Sequence, residues 1–147
     1  MHCYSHTVKY YETDRIGFTH HSNYIRWMEE ARIDFMDQLG WSYQRFEDEG
    51  LISPVTAVEC KYKKTTTFPE TVTIEVSVEE FRSIKLRIKY LMKNEHGDVV
   101  CEGASEHCFL NKEGKLVRID KEFPEFAELL VSDSAAARQN LNSQNIR

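Results

Sequence analysis

Apolar side chains recur at two spacings along this chain, and the changeover falls at Gly50. Before it, Tyr24, Trp27, Met28, Ala31, Phe35 and Leu39 stand three or four residues apart, the spacing of one helix face, while Arg26, Glu30 and Asp37 fall elsewhere. The spacing predicts a long amphipathic helix with Ser22 or Asn23 as its N-cap and Gly40 closing its C-terminus. Residues 42–49, carrying Tyr43 and Phe46, predict a second, short helix that stops at Gly50. Ahead of both, His2, Tyr4, His6, Val8 and Tyr10 occupy every second position, so residues 2–11 predict a strand with one half-buried face.

Beyond Gly50 the period is two. Val55, Val58, Cys60 and Tyr62 predict a strand within residues 51–64, and Pro54 makes it an edge strand or a late starter. Val72, Ile74, Val76 and Val78 alternate with polar residues, as do Leu86, Ile88 and Tyr90. Both apolar sets fall on even numbers, so an antiparallel pair keeps them on one face only with an odd number of loop residues. That predicts a three-residue connection at 82–84, or a bulge. Either register sets Glu79 near Arg87 on the outer face, a pairing of about 0.2–1 kcal/mol.

A further strand is predicted over residues 99–110, with turns at 68–70, 96–98 and 111–115 and a short extension over 116–119. Phe123-Pro124-Glu125-Phe126 opens a last short helix to Leu130, and fraying is expected beyond Ser132, where apolar anchors run out. The order of strand, long helix and antiparallel strands predicts an α+β domain over residues 1–131, its helix packed on a curved sheet, followed by a polar tail at 132–147.

Composition narrows the class. A chain of 147 residues with 41% hydrophobic residues is long enough for one domain with its own core. A net charge of -5 argues against a general nucleic-acid binder, and no apolar run approaches the length of a membrane span. A cytoplasmic protein is therefore expected. Cys3, Cys60, Cys101 and Cys108 show no CxxC spacing and sit in strand-like runs, which predicts reduced thiols. The six histidines form no metal-binding pattern, so no metal is expected. His20 and His21 are adjacent, which turns their side chains apart in most backbone conformations.

The densest chemistry lies in residues 10–24: a carboxylate at Asp14, the turn-permitting Gly17, two histidines and the start of the long helix. By itself, Asp14 ahead of a glycine reads as a turn cap, and Asn23 as a residue that fastens the loop. The wider pattern changes this. Tyr11-x-x-Asp14-x-x-Gly17-x-x-x-His21-x-Asn23-Tyr24, followed by Arg26-Trp27-x-Glu29-x-Ala31-Arg32, resembles the signature of hotdog-fold acyl-CoA thioesterases of the 4-hydroxybenzoyl-CoA thioesterase type, over residues 5–130.

That resemblance implies a hotdog fold, a long central helix wrapped by a five-stranded antiparallel sheet, in subunits that form homodimers or homotetramers with active sites at the dimer interface. It implies hydrolysis of an acyl-CoA thioester without a separate cofactor, coenzyme A being part of the substrate. Asp14 matches the family's catalytic carboxylate, acting as nucleophile or general base, and the backbone N–H of His21 matches its oxyanion donor. Gly17, Tyr24, Met28 and Glu29 are expected around the substrate, although Tyr24 and Met28 serve equally well as core and Glu29 as a solvated helix residue. Lys61 with Arg82, Ser83 and Lys85 form two basic stretches suited to the phosphates of coenzyme A. Two alternatives keep the fold: a thioesterase acting on acyl carrier protein, and a non-catalytic acyl-CoA-binding domain, against which the carboxylate of Asp14 argues.

Overall fold

The computed structural model describes residues 2–145, with side chains through residue 140. Five strands, β1 (His2–Thr7), β2 (Val55–Tyr62), β3 (Thr71–Arg82), β4 (Lys85–Lys93) and β5 (Val99–His107), form one antiparallel sheet in the order β1-β3-β4-β5-β2. Helix α1 (Ser22–Gln38) lies against its inner face, with α2 (Tyr43–Asp48) after it and α3 (Ile119–Glu122) and α4 (Pro124–Asn145) closing the chain.

The two spacings explain how these layers meet. The helical stripe of Trp27, Met28, Ala31 and Phe35 packs on the strand stripes Val72, Ile74, Val76 and Val78 and Leu86, Ile88, Tyr90 and Met92, all buried. The odd-numbered residues of β5 complete the floor, and Gly103 is needed there. A Cβ at Gly103 would stand 2.9 Å from Met28 Sδ, so the missing side chain lets α1 approach the sheet.

The β3–β4 register is corrected by a bulge. Only Ser83 and Ile84 connect the strands, and the register shifts between Val78 and Glu80, which restores the shared inner face. Glu79 meets Arg87 as expected, Oε2 lying 2.7 Å from Nε, and Arg87 also bonds Glu106 at 3.1 Å and Glu59.

Several boundaries move. β1 stops at Thr7, and Tyr10–Glu12 forms a 3-10 turn instead of prolonging the strand. β5 ends at His107, with Leu110 keeping isolated bridges to Ile52 and Leu116. The largest correction is the C-terminal segment: α4 does not fray at Ser132 but continues to Asn145. Its first half buries Phe126 and Leu130, with Phe126 stacked on Trp41 at 4.4 Å between ring centroids. Its second half is held by polar groups. Among the described residues β1 pairs with β3 as far as Val76, and Asp133 Oδ2 accepts the next outward N–H, that of Val78, at 2.7 Å. Ser134 donates to the carbonyl of Glu79 at 3.3 Å, so α4 covers the sheet edge that β1 leaves open.

At the opposite edge, β2 lies where Pro54 suggested, with Val55, Val58 and Tyr62 exposed. Val58 faces inward opposite Ser105 yet is 43% exposed, because α1 does not reach over it.

Candidate active site

Residues 12–20 form a small hairpin leading directly into α1. Its limbs are joined by His20 N to Glu12 O at 2.8 Å, the Thr13–Thr19 bridge, and Asp14 N to Phe18 O at 2.7 Å. Gly17, at φ 94°, makes the turn in the left-handed region that a side chain disfavours. Threonines fasten the hairpin to the segment ahead of β3: Thr19 N donates to Thr66 O at 2.9 Å, and Thr67 Oγ1 to Gly17 O at 2.6 Å.

Asp14 sits at the tip of this hairpin, exposed. Its Oδ1 accepts the N–H groups of Ile16, at 2.9 Å, and Phe18, at 3.3 Å, which is the turn-capping geometry. Oδ2 has no partner among the described residues, so the carboxylate is held by one oxygen and presents the other.

The other limb delivers His21 to the start of α1. Neither Ser22 nor Asn23 caps the helix, contrary to the sequence expectation: Ser22 Oγ bonds His20 Nδ1 at 2.8 Å, and Asn23 Nδ2 donates back to Glu12 O at 2.9 Å. The Ser22 N–H turns back to His20 Nδ1 at 3.3 Å and the Asn23 N–H to His20 O at 3.0 Å, while no acceptor among the described residues takes the N–H of His21. The His21 carbonyl accepts the hydroxyl of Tyr62 at 3.2 Å. Burial and the neighbouring Cys60 push the Tyr62 phenol up to about 12, which keeps it a donor at neutral pH. The rings of His20 and His21 do not diverge; they lie 4.3 Å apart at a 30° tilt.

The remaining predicted residues scatter. Tyr24 and Met28 are 3% and 2% exposed, Tyr24 OH bonding Thr66 Oγ1 at 2.9 Å and Met28 Sδ lying 3.5 Å from Cys60 Sγ. Both stand in the layer between α1 and the sheet. Glu29 is exposed, roughly 10 Å along the helix axis from Ser22. With Arg32, Ile33, Met36, Trp41 and Leu51 it lines a cavity of about 750 Å³ between α1, α2 and the chain ahead of β2.

The basic residues do not converge within one chain. Lys61 lies opposite Glu102 on the outer face of the sheet. Arg82, which pairs with Glu80, Ser83, and Lys85, which pairs with Glu106, sit at the β3–β4 turn, beside the His107 end of β5. The hairpin and Tyr62 stand at the Cys101 end, about 20 Å away along the strand. Two further parts of the site gave no sequence signal: Tyr62, which read only as a strand residue, and Glu12, which follows the predicted first strand.

A five-stranded antiparallel sheet around one long helix, with a carboxylate hairpin at that helix's N-terminus, is the hotdog thioesterase architecture. The chain belongs to the thioesterase-like superfamily, whose profile matches residues 8–130. It is a thioester hydrolase of the acyl-CoA thioesterase type. A Bacillus subtilis (strain 168) protein, YneP, named provisionally as an acyl-CoA thioesterase, is 32% identical over 81% of this chain and 87% of its own. The 1,4-dihydroxy-2-naphthoyl-CoA hydrolase of Thermosynechococcus vestitus is 27% identical over 73% and 74% of the two chains. Among solved structures, a DHNA-CoA thioesterase from Staphylococcus aureus superposes with a TM-score of 0.82 at 33% identity, covering 97% of this chain and 93% of the other.

Proposed function

We propose that this chain hydrolyses an acyl-CoA thioester to the free acid and coenzyme A, with Asp14 as the reacting carboxylate and the His21 N–H as oxyanion donor. The observation that carries this reading is the hairpin itself, which joins a carboxylate with one free oxygen to a helix start where the His21 N–H has no acceptor among the described residues. Oδ2 of Asp14 attacks the thioester carbonyl, or removes a proton from the water that does. The negative charge forming on the carbonyl oxygen is received by the His21 N–H and the positive end of α1, and the coenzyme A thiolate leaves; where Asp14 is the nucleophile, water then cleaves the acyl–Asp14 anhydride to the free acid and restores the carboxylate. Activity on an aromatic acyl group is favoured by the relatives named for dihydroxynaphthoyl and DHNA thioesters.

The working unit in this reading is a pair of chains with the site between them. Three features support it: the exposed edge strand β2, the uncovered inner face at Val58, and the exposed Tyr10, Tyr11, Ile16 and Phe18 around Asp14. Pairing also supplies the basic β3–β4 turn, with Arg82, Ser83 and Lys85, from a second copy. A cytoplasmic location suits the four free cysteines.

Thiol release measured over short, medium, long and aromatic acyl-CoAs tests the reading. Turnover is expected on at least one class, and Asp14→Asn is expected to lower kcat by two orders of magnitude or more with the fold intact. Undiminished turnover in Asp14→Asn removes the assignment. Faster hydrolysis of the same acyl group on acyl carrier protein replaces the proposed donor.

A further inference from the structure

Among the described residues Glu12 is the only buried acid, at 7% exposure, and the thioesterase chemistry proposed above makes no direct use of it. Its Oε1 accepts the Lys9 N–H and His6 Nε2–H, both at 2.8 Å, and its Oε2 accepts Trp27 Nε1–H at 2.7 Å. The set continues outward, with His6 Nδ1 3.4 Å from Glu30 Oε2 and the Tyr4 hydroxyl donating to the same oxygen at 3.1 Å. One side chain thus joins β1, the 3-10 turn and the second turn of α1. A buried carboxylate is a costly way to join elements that apolar packing joins as well, so the arrangement asks for a reason beyond cohesion.

The reason lies in the backbone of the same residue. The Glu12 carbonyl accepts both His20 N–H, at 2.8 Å, and Asn23 Nδ2–H, at 2.9 Å. Asp14 stands two residues past Glu12 on one limb of the hairpin, and His21 one residue past His20 on the other. The Glu12–His20 bond is therefore the rung at the base of the hairpin, with Asp14 on its tip side and His21 on its helix side. Side chain and carbonyl together fix this rung to the helix that carries the oxyanion donor.

We infer that Glu12 is a positioning residue for thioester hydrolysis, tying the Asp14 hairpin to α1 so that carboxylate and oxyanion donor keep their working separation. The inference rests on the proposed roles of Asp14 and His21. Glu12 itself touches no substrate atom. Displacement of reacting groups by about 1 Å costs on the order of 10²-fold in rate, so even a small loosening of this rung is visible in kcat.

The test is a double-mutant cycle on the full chain with an acyl-CoA that the wild type hydrolyses. Glu12→Gln keeps the size but turns one acceptor into a donor facing another donor. It is expected to lower kcat at least tenfold, with KM within about twofold of wild type. In the Asp14→Asn background the same change is expected to cost nothing further, because Glu12 acts through Asp14. Unchanged kcat in Glu12→Gln, or an equal loss in both backgrounds, overturns the inference, the second outcome marking a purely structural role. Where Glu12→Gln does not fold, Asn23→Leu replaces it in the cycle: the Glu12 carboxylate keeps its partners, its carbonyl loses the Asn23 donor but keeps the His20 N–H, Arg26 loses its Asn23 Oδ1 acceptor, and the same two outcomes decide. A wild-type chain inactive on every acyl-CoA, or an Asp14→Asn chain as active as wild type, instead defeats the functional reading on which the inference stands.

Discussion

Glu12 and His107 are both buried and titratable, and their surroundings resolve them in opposite senses. Burial opposes the charge on Glu12, but the hydrogen bonds from His6, Lys9 N–H and Trp27 outweigh it and hold the carboxyl below its ordinary range. His107, 1% exposed, bonds Ser105 Oγ through Nε2 at 2.7 Å and leaves Nδ1 without a partner among the described residues. Burial, aided by Arg32, lowers its pKa to about 4, so it is neutral in the fold. Both native values lie below those of the unfolded chain, so both contributions are complete above the unfolded pKa and lost as pH falls through the native one. For His107 that window runs from about pH 6.5 to about 4, and its full extent is about 3 kcal/mol. Urea unfolding at pH 7 and pH 4.5 is expected to show a fall in stability for the wild type and a smaller one for His107→Leu. At this scale the turn that Gly17 makes and Asp14 caps was legible, because both contributions are local. Glu12 was not, because its burial is decided by His6 on β1 and by Trp27 on α1.

The elements were read best where apolar spacing holds them and least well where polar groups do. α1, β3 and β4 carry long regular stripes, and the structure moves their ends by a residue or two. The second half of α4 has no stripe, which is why fraying was expected, yet Asp133 gives it a specific attachment to Val78 N–H. Counting hydrophobic positions cannot register a carboxylate that completes a strand edge. Asp133→Ala is expected to cost about 1–3 kcal/mol, the range for stranding a part-buried donor, and to loosen α4 without altering kcat. Urea denaturation measures the first effect, and hydrogen exchange at the Val78 amide the second. The bulge at Val78–Glu80 belongs with the better readings, since parity of the apolar positions required either it or an odd loop.

Across the whole molecule, the family signature in residues 11–32 made the fold legible at once, whereas the assembly of the site was not. Nothing in the order of residues tells that Lys61 faces outward or that Arg82 and Asp14 stand at opposite ends of the sheet. Those facts follow from strand order and register. Light scattering is expected to give a mass of at least twice the 17.3 kDa of one chain, and Val58→Asp, which charges the uncovered inner edge, is expected to yield monomers with little turnover. The separation of about 20 Å between the β3–β4 turn and the hairpin has one more consequence. Under two-fold pairing, a chain crippled at Asp14 and a chain crippled at Arg82 are each defective in both sites when paired with themselves. Paired with each other, they leave one site carrying both defects and the other carrying neither. Mixing two impaired proteins is then expected to restore activity that neither has alone.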